Sequence, residues 1–141
     1  MADKKAKAQG KSGTPVAGAE LVARGDACAQ GTVLKGADLA TAAEWYRQAA
    51  AVGNAAGMGK LAALYADGAG VEQDLAAAVQ WFQKAAEAGD AMSMFVLGIY
   101  YYEGHGVPKD EQCAGEWLER AAEAGHEEAQ RILAESEGEE S

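Results

Sequence analysis

Apolar positions along the chain follow a helical spacing. Met58, Leu61, Ala62 and Tyr65 fall at i, i+3, i+4 and i+7, which places them on one face and predicts a helix over about 55–67. Gly68 and Gly70 end it, because a backbone that must turn left-handed favours glycine. Asp74 then stands where a carboxylate accepts from the free amides of a new helix. Ala78, Trp81, Phe82, Ala85 and Ala86 form that second helix's buried face, and Gly89 stops it. The pattern recurs at a period of 36. Trp45, Trp81 and Trp117 share that spacing, as do Asp38, Asp74 and Asp110, the Ala pairs 49–50, 85–86 and 121–122, and Gly53, Gly89 and Gly125. Leu61, Tyr65, Gly68, Gly70 and Val71 return as Leu97, Tyr101, Gly104, Gly106 and Val107. Self-similarity of this kind marks an array of stacked units. Three helix-turn-helix copies are expected, at about 18–53, 54–89 and 90–125.

The first copy departs from the pattern. Its second helix, Asp38 to Val52, fits, but its first helix aligns only with one residue inserted in the turn. Leu21, Gly25, Cys28 and Gly31 then match Met58, Ala62, Tyr65 and Gly68, Arg24 replaces a Leu, and residues 32–36 replace the short glycine turn. End repeats have a solvent-facing side and tolerate such changes. After the third copy, residues 126–136 repeat the opening of a first helix, with Ala129, Ile132 and Leu133 on one face, and read as a cap. A basic segment, 1–17, and an acidic one, 137–141, are expected to be disordered tails, the disorder starting near Glu135, since neither buries enough apolar area to offset ordering.

Composition narrows the fold class further. Of 141 residues, 34 are Ala and 18 are Gly, while Val and Ile together number only 10, which disfavours a β-rich core. Residues 1–17 carry +3 and the remainder −13, giving the net −10. So acidic a body repels a phosphate backbone, and nucleic acid is not expected as a partner. No apolar run is long enough to cross a bilayer, and the start of the chain lacks a secretory signal, so no membrane association and a cytoplasmic location are expected.

The run Leu97-Gly98-Ile99-Tyr100-Tyr101, Gly104-His105-Gly106-Val107, Asp110, Trp117, Ala121-Ala122 and Gly125 resembles the Sel-one-like repeat family, a subclass of tetratricopeptide-like α-solenoids. The resemblance covers about residues 18–136. It implies an all-α, right-handed superhelix of helix pairs whose first helices line a concave surface. It also implies a role as a scaffold or adaptor that assembles other proteins, while the Ala- and Gly-heavy composition points to a GC-rich bacterial genome.

No constellation of catalytic residues is present in the sequence, and neither a metal nor another cofactor is expected. His105 lies between two turn glycines, and His126 begins the cap. Cys28 and Cys113 match no recurrent disulfide spacing. Cys113 aligns with Ala77 and Thr41 and reads as a small filler, with Glu111 and Glu116 opposing a thiolate. Some cysteine-rich members of the family are linked to penicillin binding and β-lactam hydrolysis. Their paired cysteines fall where this chain has Ala50, Ala86 and Ala122, facing Gly57, Ser93 and Ala129, so that activity does not carry over.

One stripe exceeds what stacking needs. In the third copy's first helix, Met94, Leu97, Gly98 and Tyr101 serve the core. Met92, Phe95, Ile99 and Tyr102 form a second apolar line. The resemblance places that line on the concave groove, beside a flat floor of Ala56, Gly59, Ala63 and Ala66 and the first copy's Ala19, Val22, Asp26 and Ala29. Asp26, Asp67, Glu103, Glu128 and Glu135 add an acidic fringe, with Arg131 among them. The expectation is a non-catalytic module that binds a partner protein through Met92, Phe95, Ile99, Tyr102, Glu103, Asp67, Ala63, Glu128 and Arg131, favouring apolar anchors with basic residues. Packing of the stripe against the cap or a tail, a homodimer through the same stripe, and a small-ligand or enzyme domain are the alternatives.

Overall fold

The computed structural model describes residues 14–30 and 38–140, with side chains for 18–30 and 38–138. Among the described residues there are seven α-helices and no strands: α1 (Thr14–Gln30), α2 (Leu39–Ala51), α3 (Ala55–Asp67), α4 (Leu75–Glu87), α5 (Ala91–Glu103), α6 (Glu111–Glu123) and α7 (Glu127–Glu140). They form three helical hairpins, α1/α2, α3/α4 and α5/α6, stacked in order as a right-handed α-solenoid, with α7 closing the end against α6.

Local chemistry sets the boundaries. The side chains of Asp38, Asp74 and Asp110 accept from the backbone amides of Thr41, Ala77 and Cys113 at 3.0, 3.0 and 3.1 Å. The first helix of each later unit is capped by Asn54, Asp90 or His126, whose acceptors take the amides of Gly57, Ser93 and Ala129. Helices α3 and α5 end at Gly68 and Gly104, both left-handed. The insertion expected in the first hairpin is visible in the backbone. The amides of Asp38, Asp74 and Asp110 donate to the carbonyls of Cys28, Tyr65 and Tyr101, so Cys28 is the register partner of the two tyrosines. The turn containing residues 32–36 and the tail residues 1–13 lie outside the described residues, as does Ser141.

Two apolar clusters make the core. One gathers Ala42, Ala43, Tyr46, Ala50, Leu61 and Leu64; the other holds Ala62, Ala78, Phe82, Leu97, Trp117 and Ala129 with neighbours. Leu61 and Leu97 are fully enclosed, each contributing about 1.5–3 kcal/mol by burial. Large side chains fit because small ones face them. A Cβ on Gly25 would sit 2.5 Å from the Tyr46 ring, and one on Gly98 would sit 2.9 Å from Leu118. The tryptophans are unequal: Trp117 is buried, whereas Trp45 and Trp81 are half-buried, with Arg24 and Lys84 over their rings.

Helix α1 begins at Thr14, inside the segment expected to be a disordered tail, with Pro15 in its first turn, where a missing amide costs nothing. Helix α7 runs through the acidic stretch to Glu140 instead of fraying near Glu135. Anchored on buried Ala129 and half-buried Ile132 and Leu133, with Glu127 and Glu128 at its positive end, it propagates through exposed residues beyond them.

Candidate functional site

Helices α3 and α5 face each other across Phe82 of α4. Between them are two hollows of about 370 and 300 Å3, both lined by Ala63, Phe82 and Val96, which join as one trough. Its floor carries Ala56, Gly59, Ala63 and Ala66, and its wall Met92, Phe95, Val96, Ile99 and Tyr100. From Ala56 to Asp67 it extends about 16 Å at the helical rise. A floor without bulk is required near Gly59, where a Cβ would stand 2.6 Å from the Ser93 hydroxyl and 2.9 Å from Asp90.

The two ends differ in charge. At the α3 N-terminal end, Lys60 pairs with Asp26 at 3.3 Å, and Asp26 accepts from the Tyr46 hydroxyl at 2.6 Å. Burial, that hydrogen bond and the Asp26 charge raise Tyr46 well above the usual phenol range. Asp90 is taken up by capping Ser93. At the other end stand Asp67 and Glu103, the last residues of α3 and α5, both exposed. No cation among the described residues pairs with either. Between them lies Tyr100, whose hydroxyl is pushed up by burial and then by the charges of Asp67 and Glu103. The Tyr100 ring meets Phe82 and His105 edge-on, at 5.7 and 4.8 Å.

The residues expected at the site do not all converge. Met92, Phe95, Ile99, Ala63 and Asp67 line the trough, and Glu103 borders it through Tyr100. Phe95 is half-buried because the His126 ring stacks on it, centroids 4.3 Å apart. Met92 stays 57% exposed. Tyr102 is 56% exposed but turns away, with the Lys109 ammonium 5.7 Å from its ring. Glu128 and Arg131 pair with each other on α7 and do not line the trough, and Asp26 is already engaged, so the acidic fringe shrinks to Asp67 and Glu103. Val96, Tyr100 and Phe82 are trough residues that the sequence reading omitted. Nearly every position of α5 from Met92 to Tyr102 is apolar, so spacing alone could not say which second line faces outward.

Elsewhere the chemistry is quiet. Cys113 has its thiol raised by burial and by Asp110 and Glu116, with hydrogen bonds from Tyr101 and Trp117 opposing, which makes it a poor nucleophile. Among the described residues no three His, Cys, Asp or Glu side chains gather to hold a metal, and no helix is long and apolar enough to cross a membrane. A third hollow, about 640 Å3, lies by Arg47 and the Gly70–Asp74 turn; it is built mostly from turn residues and offers few apolar anchors.

Capped helical hairpins stacked at a 36-residue period define an α-solenoid repeat protein. The Sel1 repeat model matches residues 21–54, 55–90 and 91–126, and the chain belongs to that family. Solved relatives are bacterial. A Sel1 repeat protein from Oxalobacter formigenes is 33% identical with a TM-score of 0.76, over 82% of this chain and 47% of that one. A protective antigen of uropathogenic Escherichia coli strains, displaying an SLR fold, is 32% identical at TM-score 0.78, covering 94% of this chain and 28% of the antigen. Cysteine rich protein B of Helicobacter pylori is 30% identical at TM-score 0.63, covering 65% and 69%. The chain thus spans about half of the first relative's length and under a third of the second's. A comparison with curated protein sequences found no match. Sel1 repeats are in general protein–protein interaction modules, and the solenoid is typically a non-catalytic scaffold.

Proposed function

We propose that this chain is a non-catalytic adaptor that holds a segment of another protein in the trough between α3 and α5, on the concave face of the solenoid. One observation carries the reading: the apolar wall of α5 is left open beside the flat floor of α3, and Met92 at its rim is more than half exposed. An apolar recess on a chain of charge −10 gains most by covering against a ligand. Small floor residues admit side chains, so a helix face or extended strand can lie down between the two helices.

Affinity purification from the native cell tests this with the wild-type chain and with Phe95→Ala plus Ile99→Ala, two residues of the wall. The double variant is expected to lose the bound partner while keeping its helical signal. Recovery of the same partner at full strength removes Phe95 from the site and contradicts the reading.

A further inference from the structure

Charge is distributed along the trough in a way that specifies its occupant. The four helices of the second and third hairpins each end in a carboxylate: α3 in Asp67, α4 in Glu87, α5 in Glu103 and α6 in Glu123. A negative charge at a helix C-terminus is unfavourable, because the peptide dipoles place partial negative charge there. The outer helices answer with a cation in the same last turn, Lys84 in α4 and Arg120 in α6. Helices α3 and α5 have none in theirs. Asp67 and Glu103 thus stand uncompensated on either side of Tyr100, where the apolar trough opens. At the opposite end the Lys60 ammonium is already joined to Asp26. The trough is apolar through its middle. Its far end holds the Lys60–Asp26 pair and the Asp90 carboxylate, which is occupied by the Ser93 amide and hydroxyl. The mouth at Asp67 and Glu103 instead carries two carboxylates, with no cation among the described residues beside them.

We propose that the trough takes a protein segment with an apolar anchor over Ala63 and Val96 and a Lys or Arg one step along it, whose cation is received by Asp67, Glu103 and the ring face of Tyr100. Asp67 lies four residues, one helical turn, beyond Ala63, which is about 6 Å. The cation therefore lies four residues from its anchor in a helical ligand, or two in an extended one, on whichever side the ligand's chain direction places it. A carboxylate at each side and an aromatic surface between them suit a guanidinium or ammonium and reject an acidic side chain. This assignment rests on the trough being the docking site and adds the chemistry and spacing of what docks.

Selection of twelve-residue random peptides on phage against the full-length chain, followed by titration of the recovered synthetic peptides, tests it. The expected set shares an aliphatic or aromatic residue with a Lys or Arg two or four positions away, on one consistent side. Replacing that basic residue by Gln in the peptide, or making Asp67→Asn plus Glu103→Gln in the protein, weakens binding roughly fivefold to tenfold. Raising the salt weakens the wild-type complex and hardly changes the variant's. The unfolding midpoint of the double variant stays equal or rises, which a purely structural role for the two carboxylates would not allow. Peptides that Ala63→Phe displaces but the double variant binds at full strength would overturn the acidic mouth while leaving the trough in place. Peptides indifferent to Ala63→Phe as well, or no enrichment at all, would overturn both. A dimer in sedimentation that the double variant dissolves would give the trough to a second copy and also overturn the proposal.

Discussion

Helices α3 and α5 occupy the same place in successive units and share most of their construction. Each has 13 residues, a polar cap at Asn54 or Asp90, a fully buried leucine and a left-handed glycine at its end. Their outward faces are opposites. Ala56, Gly59, Ala63 and Ala66 leave α3 flat, whereas Met92, Phe95, Val96, Ile99 and Tyr100 make α5 a wall. Cap, buried leucine and turn glycine satisfy the backbone and the core. The remaining positions are then free of the fold's demands, and it is there that a repeat array differentiates a surface.

If that division holds, core changes in the two helices should cost alike. Leu61→Ala and Leu97→Ala are each expected to lose about 2–5 kcal/mol in urea unfolding, and a much smaller loss at Leu97 would break the equivalence. The turn glycines sharpen the comparison by differing where the sequence repeats. Gly70 and Gly106 both have φ near +75°, but a Cβ on Gly70 would lie 2.4 Å from the Leu39 backbone, while one on Gly106 would meet Val79 and Leu75 at 3.2–3.3 Å. Gly70→Ala is expected to cost about 3 kcal/mol and Gly106→Ala about 1 kcal/mol, measured as the same unfolding free energy. Equal losses would mean that left-handedness alone sets the requirement.

A smaller effect separates the hairpins by pH. Tyr46 is raised by burial and Asp26, so the fold keeps a proton that the unfolded chain releases near pH 10. Its contribution to stability is complete below that point and is lost as pH rises beyond it. Tyr46→Phe is expected to lower stability at neutral pH through the lost hydrogen bond and to make the alkaline decline shallower. The part due to Tyr100 and Tyr101, both raised in the third hairpin, should remain. An unchanged alkaline slope would show that Tyr46 has the same proton affinity in both states.

Much of this was legible because repeats announce themselves. The tryptophans, capping aspartates and glycines at one offset define the hairpins, and the one-residue insertion in the first copy is confirmed by the Asp38-to-Cys28 hydrogen bond. The trough's floor was equally readable, since small residues on α3 leave one outcome. Its wall was not: α5 is apolar almost all round, and the facing is settled by packing, with Val96 beside Phe82 of α4 and Tyr102 under the Lys109 ammonium. Ion pairs were also hidden, because Asp26–Lys60 joins residues that meet only after α1 and α3 dock. The helical course of residues 135–140 follows from propagation along α7, which composition does not report.

Site-specific photo-crosslinking in the native cell tests the partner trough most directly. A benzophenone amino acid in place of Met92, at the rim, is compared with one in place of Gln80, on an exposed position of α4. The account predicts a discrete crosslinked product from position 92, absent from position 80 and lost when Ala63→Phe fills the floor. The same products from both positions, or none from position 92, would contradict it.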